Sequence, residues 1–194
     1  MKQFLFCLLL FNTTLLWSTS LQWYDGVIVL QNHQVLVGKL RVEQLCDVVL
    51  FHHPDSLQVT VLPAFRINAV NYFDAANNIN RRFISRQQQN TVKAPQLYEV
   101  VVTGKVWVLR RLNTYHSTPP HDDEYTYYSK TKDELVELKK FGAAVYTQLD
   151  NLSARQLSVY VRSRRFDPYL PADAIQIIQY FNSLEIPEAV LSRK

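Results

Sequence analysis

The sequence predicts an α+β chain that is mainly β: an antiparallel sandwich or open barrel of about eight to ten strands, followed by two or three short C-terminal helices. Three observations predict it. Apolar and polar residues alternate with period two from Trp23 to Tyr128, in runs repeating about every eight to twelve residues. Val, Tyr, Phe and Trp, which suit a pleated and half-buried surface, are plentiful, while 194 residues hold only four Gly. Beyond about residue 141 the apolar spacing lengthens to that of amphipathic helices.

The first twenty residues, MKQFLFCLLLFNTTLLWSTS, have the pattern of a secretory signal peptide. Lys2 precedes an apolar block from Phe4 to Trp17, and the small residues Ser18 and Ser20 offer a cleavage site after Ser20. The block is shorter than the roughly 18 to 20 apolar residues of a membrane-spanning helix, and no later run reaches that length. No transmembrane segment is therefore expected after cleavage, and Phe6 before Cys7 does not make a lipoprotein site. The expected location is periplasmic or secreted.

Cleavage leaves Cys46 as the one cysteine, so no internal disulfide is expected. Set in the apolar run LCDVVLF, Cys46 is predicted to be a buried, inert thiol. The remaining chain suffices for one core, read as a β domain over 21–140, packed helices over 141–185 and a flexible tail over 186–194. The net charge of +4 drops by one with Lys2 and is scattered among acids. Nucleic acid is not an expected partner, since no basic stripe carries interleaved stacking aromatics.

Strand pairs follow in order. WYDGVIVL (23–30) and VLVGKLRV (35–42) flank QNHQ, in which Asn32 and His33 take the turn positions of a hairpin. CDVVLF and LQVTVL form the next pair across HHPDS, with Leu57, Val59 and Val61 on one face and Gln58 and Thr60 on the other. Pro63 interrupts the ladder, and AFRINAVNYF is predicted as a strand with Phe65, Ile67 and Ala69 on one face. Residues 74–80 read as a hairpin connection, because Asn tolerates left-handed backbone and Asx side chains bond locally. Asp74, Asn77, Asn78 and Asn80 miss the spacing of a calcium loop and bring one charge. RRFIS, QLYEVVVT, VWVLRRL and EYTYY complete the β series.

Residues 131–140 support two readings: a helix capped by Thr131 and Glu134, or a return strand in LVEL, of which the strand at 135–138 is preferred. A helix then runs through FGAAVYTQL. Ser153 and Gln156 form a capping box for ARQLSVYVRSR, whose Leu157, Tyr160 and Val161 share a face. Pro171 opens a last helix that carries Ala174, Ile177, Ile178 and Phe181 at helical spacing.

The series of a signal segment, a hairpin with Asp25-Gly26 and VLVG at 35–38, then YFD, NINRRF and a helical IIQYFN resembles exported proteins of Bacteroidota-type bacteria that have no assigned activity. The resemblance implies a Gram-negative envelope or secreted location and brings no site residues with it.

Candidate sites are few. In TYHSTPPHDDE the potential metal ligands His116, His121, Asp122, Asp123 and Glu124 fall within nine residues. Ser117 with His116 and Asp122 supplies the residue types of a triad without its strand-to-helix context. No zinc-protease, phosphate-loop or dinucleotide fingerprint is present, and no cofactor is implied. Tyr125, Tyr127 and Tyr128, with Trp107 and Tyr98 on nearby strands, offer stacking surface if one sheet face stays open. Arg81, Arg82, Arg110 and Arg111 offer an anion-binding ridge if they align across strands.

Together these features predict an exported, non-enzymatic β-rich protein, a binding or structural module of the bacterial envelope whose partner is a protein or envelope component. The alternative is an envelope hydrolase, metal-assisted or not, centred on the 116–124 loop.

Overall fold

A computed structural model describes residues 22–56, 58–88, 92–113, 121–132 and 134–185. The strands are β1 (Tyr24–Leu30), β2 (Val35–Glu43), β3 (Val48–His52), β4 (Val59–Pro63), β5 (Ile67–Asp74), β6 (Ile79–Arg86), β7 (Gln96–Val102), β8 (Trp107–Leu112), β9 (Tyr125–Lys130) and β10 (Leu135–Glu137). All ten form one antiparallel sheet in the order β10-β9-β8-β7-β6-β5-β1-β2-β3-β4, which does not close on itself.

One connection shapes the sheet. A 3-10 turn, Ala64–Arg66, carries the chain from edge strand β4 to β5, which pairs with β1. Such a turn rises about 2 Å per residue. A flat sheet would put β4 four strand spacings of about 4.8 Å, or roughly 19 Å, from β5. Strands β1 to β5 must therefore curl, and they do so as an open barrel around Ile28, Leu40, Val49, Phe51, Leu62 and Ile67. Gly26 and Gly38 sit directly opposite each other on β1 and β2. A Cβ on either would come within 2.6 Å of a neighbouring carbonyl oxygen, Asn71 or His52, so only glycine admits this close approach.

Strands β6 to β10 continue the sheet as a meander whose far end is covered by helices. A π-type turn, Gly142–Tyr146, leads into α1 (Thr147–Leu152), followed by α2 (Gln156–Arg164) and α3 (Pro171–Ser183). Val106 and Val108 from the sheet pack with Phe141, Leu149, Leu157, Ile177 and Phe181 in a second core. Asn182 fastens α3 to the β7–β8 turn. Its Nδ2 donates to Val106 O (2.7 Å) and its Oδ1 accepts from Val106 N (2.9 Å). Gly104, at φ +152°, leaves the space that Asn182 occupies.

The β2–β3 turn ties the barrel to the rest of the sheet. Gln44 Nε2 donates to Leu97 O (3.0 Å) and Arg110 O (3.1 Å), and its Oε1 accepts from Leu112 N (3.1 Å). Asp47 Oδ1 accepts from Leu97 N (2.8 Å). These side chains supply the bonds of a strand pair at the end of β7 and β8, and they explain how a buried Gln44 is tolerated.

The predicted open antiparallel architecture, the hairpin at Asn32-His33, the turn after Asp74, the short strand β10 and the Pro171 helix start are all present. Three local expectations need correction. Cys46 is exposed and lies in the turn before β3, since the strand starts at Val48. Phe65 is 59 % exposed in the 3-10 turn, while Ile67 and Ala69 belong to different apolar clusters. Ser153 caps α2 from further back than a capping box requires. Ala154 and Arg155 are left-handed, so Ser153 Oγ accepts from Leu157 N (3.3 Å) and Asp150 Oδ1 from Ser158 N (2.8 Å). The signal segment and the 186–194 tail lie outside the described residues.

Candidate functional site

Alternation along a strand sends adjacent arginines to opposite faces. The inner face, which holds both the barrel core and the helices, receives Arg81 of β6 and Arg110 of β8. The outer face receives Arg82 and Arg111. The four arginines therefore do not form one ridge.

On the inner face a chain of ion pairs crosses four strands. Arg81 Nε donates to Asp74 Oδ2 (2.8 Å) and its Nη1 to Glu99 Oε1 (2.6 Å), while Arg110 Nε donates to Glu99 Oε2 (2.8 Å). Asn77 adds its backbone N–H (3.3 Å) and Nδ2 (2.8 Å) to Asp74. Asp74 and Glu99 are almost fully buried, whereas the two arginine side chains keep about a fifth of their surface in water. Two cations meet two anions, so the group is neutral in sum.

Rings surround it. The Arg110 guanidinium lies 4.3 Å over Tyr125, and Tyr127 lies two residues further along β9 on the same face. Tyr72 stacks between Tyr24 (4.4 Å) and Phe83 (6.0 Å). Tyr24, Tyr72, Tyr125 and Tyr127 are each half-buried. The cluster sits between the barrel core, which ends at Phe83 and Leu97, and the helix-covered core, which includes Tyr127.

Protonation states follow from these contacts. Burial works against the Asp74 carboxylate, but hydrogen bonds from Asn77 and Arg81 outweigh it and hold its pKa below the ordinary value. Burial likewise works against both guanidinium ions, but the bonds and charge supplied by Asp74 and Glu99 to Arg81, and by Glu99 and Tyr127 to Arg110, outweigh it and raise their pKa. Burial pushes the Tyr72 and Tyr125 phenols up, against the pull of Arg81 and Arg110 respectively. None of the four charged groups is a histidine or thiol.

The outer face is organised differently. Arg82 lies 5.2 Å over the Trp107 ring, which Lys130 approaches at 5.3 Å from β9. Arg111 donates to Asp47 through both Nη1 (2.6 Å) and Nη2 (2.9 Å), and Nη1 also reaches Leu97 O (3.1 Å). Tyr98 and Tyr128 meet edge to face at 5.3 Å in a buried outer cluster with Ile84 and Leu109. The predicted aromatic set is thus divided: Tyr125 and Tyr127 face inward, and Trp107, Tyr98 and Tyr128 outward.

Of the predicted metal ligands, His116 lies outside the described residues. His121 and Asp123 are exposed, and Asp122 opens a 3-10 turn, Asp122–Glu124. Among the described residues, no three His, Cys, Asp or Glu side chains gather as a metal site. Likewise, no helix among them is long and apolar enough to cross a membrane.

Sequence reasoning missed Glu99, Gln44 and Asp47, and treated Asp74 only as a turn residue. A signal was present for Glu99: an acid in mid-strand, within QLYEVVV, requires a buried cation opposite it. Comparisons with family models, curated proteins and solved structures return no match.

Proposed function

We propose that this chain is an exported, non-enzymatic β-rich module of the bacterial envelope that binds a partner through the tyrosine-flanked arginine–carboxylate cluster on the inner face of its sheet. The observation that carries the reading is the closure of that cluster. Asp74, Arg81, Glu99 and Arg110 bond to one another, which leaves no general acid, base or nucleophile tuned for turnover. Half-buried rings of Tyr24, Tyr72, Tyr125 and Tyr127 and the water-facing fifth of the Arg81 and Arg110 side chains remain as contact surface. Such rings give large, stiff contact area with a polar tip. A neutral cluster favours a neutral polar partner over an anion. Export is supported by the signal pattern of residues 1–20.

Solubilised envelope passed over immobilised protein tests this reading. Tyr125→Ala removes a ring without touching an ion pair. Recovery of the retained component is expected to drop at least about tenfold, the loss of one good aromatic anchor. Equal recovery by both proteins overturns it.

A further inference from the structure

The sheet has two edges, and they are not alike. Strand β10 has three residues and runs straight into a 3-10 turn, Leu138–Lys140, under the helices. Strand β4 is open. It pairs only with β3, and Val59, Thr60 and Val61 are all exposed.

The hydrogen-bond phase of β4 can be fixed. Ala64 N donates to Asp47 O (2.8 Å), continuing the register in which Val49 faces Leu62 and Phe51 faces Thr60. Bonded and non-bonded pairs alternate along an antiparallel ladder. Asp47–Ala64, Val49–Leu62 and Phe51–Thr60 are therefore the bonded pairs. Val59 and Val61 turn their N–H and C=O groups away from β3, and among the described residues nothing accepts or donates to them. Pro63, next in phase, has no N–H and ends the open stretch.

Exposed edges are usually guarded by shortness, by Lys or Pro, by an inward charge or by a bulge; β4 is short and has Pro63 at its end, which leaves Val59 to Val61 open. Val59–Pro63 has no charged residue. Its open segment, Val-Thr-Val, is the same read in either direction.

We propose that β4 pairs with β4 of a second copy of this chain, antiparallel, about a two-fold axis through Thr60. In that register Val59 of one copy and Val61 of the other form a bonded pair, and the axis repeats it. The four outward N–H groups and the four outward C=O groups of Val59 and Val61 in the two copies are then shared between them. Val59 and Val61 also pack against their counterparts on the outer face, beside Leu50. The same axis brings the turn carrying exposed Asp55 in one copy to the end where the other carries exposed Phe65 and Arg66. Opposite charges, Asp55 and Arg66, then lie at both ends of the seam, with Asp55 also 3.6 Å from Nδ1 of its own copy's His53. A two-fold contact must be self-complementary, and this edge is.

Sedimentation equilibrium of the purified protein, with engineered cross-linking, tests the pairing. The wild type should show twice the protomer mass, dissociating on dilution. Val61→Pro deletes an outward N–H while sparing the β3 bonds. It should weaken the dimer at least about tenfold, the effect of losing about 1.4 kcal/mol. If that variant does not fold, Val61→Lys tests the same edge by adding charge. Thr60 faces its own copy as a non-bonded pair, with Cα atoms about 4.5 Å apart. That lies within the range of about 4.4 to 6.8 Å that a disulfide spans. Cys46→Ser/Thr60→Cys should therefore oxidise to a reducible dimer, whereas Cys46→Ser/Val35→Cys should not. Three results overturn the proposal: a monomer at the highest soluble concentration, a dimer indifferent to both Val61 changes, or an edge that becomes protected only when another protein's extended segment is added.

Discussion

At the scale of single residues, the inner-face cluster stands or falls with Glu99, whose carboxylate holds two guanidinium groups. Glu99→Gln keeps the shape but leaves Arg81 with Asp74 alone and takes from Arg110 the carboxylate it is paired with. The expected cost is about 3 kcal/mol in urea unfolding, because a mostly buried charge that loses its partner is not rehydrated. Replacing Arg110 by Met in the same chain should recover part of that loss. Phenols give a second residue-scale prediction. Burial raises the pKa of Tyr72, Tyr98, Tyr125, Tyr128 and Tyr146, and that of Tyr98 to about 12. For Tyr98 the folded value lies above the unfolded value near 10, so its contribution is complete below pH 10 and is lost as pH rises towards 12. Tyrosinate absorbance in the native protein should lag behind that of the urea-unfolded chain across this window, and stability should decline over the same interval. The alternation of Arg81 and Arg82 was legible in the sequence, since strand geometry forces it. Their partners were not, because Asp74 and Glu99 meet Arg81 only through the registers of β5, β6 and β7.

At the scale of elements, period-two runs and Asn-rich turns made most strands legible, and Pro171 marked α3. The misreadings share a cause. Cys46 and Phe65 sit in apolar runs that look like strands, yet tertiary contacts of Asp47 and Ala64 bend the chain there into turns. Helix attachment follows the same logic. Asn182 is one side chain that satisfies both backbone groups of Val106 and so clamps α3 to the β7–β8 turn. Asn182→Ala should cost about 2 kcal/mol, since it strands a buried donor and acceptor. Hydrogen exchange should show lost protection at Val106 and along α3, with β1 to β5 unchanged.

At the scale of the molecule, an open barrel was one of the two architectures the sequence predicted, but which strands curl into it was concealed. It depends on β5 returning to β1 and on the shortness of the Ala64–Arg66 turn, and neither leaves a local signature. That curl sets the barrel beside the helix-covered sheet and creates the inner-face seam where aromatic rings border a neutral ion-pair chain. The proposed recognition runs through this seam, on the inner face and not the outer. Capture from solubilised envelope with three immobilised proteins, the wild type, Tyr125→Ala and the outer-face variant Val37→Ser, tests it most directly. The same component should be retained by the wild type and Val37→Ser and depleted at least about tenfold with Tyr125→Ala. Retention by Tyr125→Ala together with loss by Val37→Ser would contradict it.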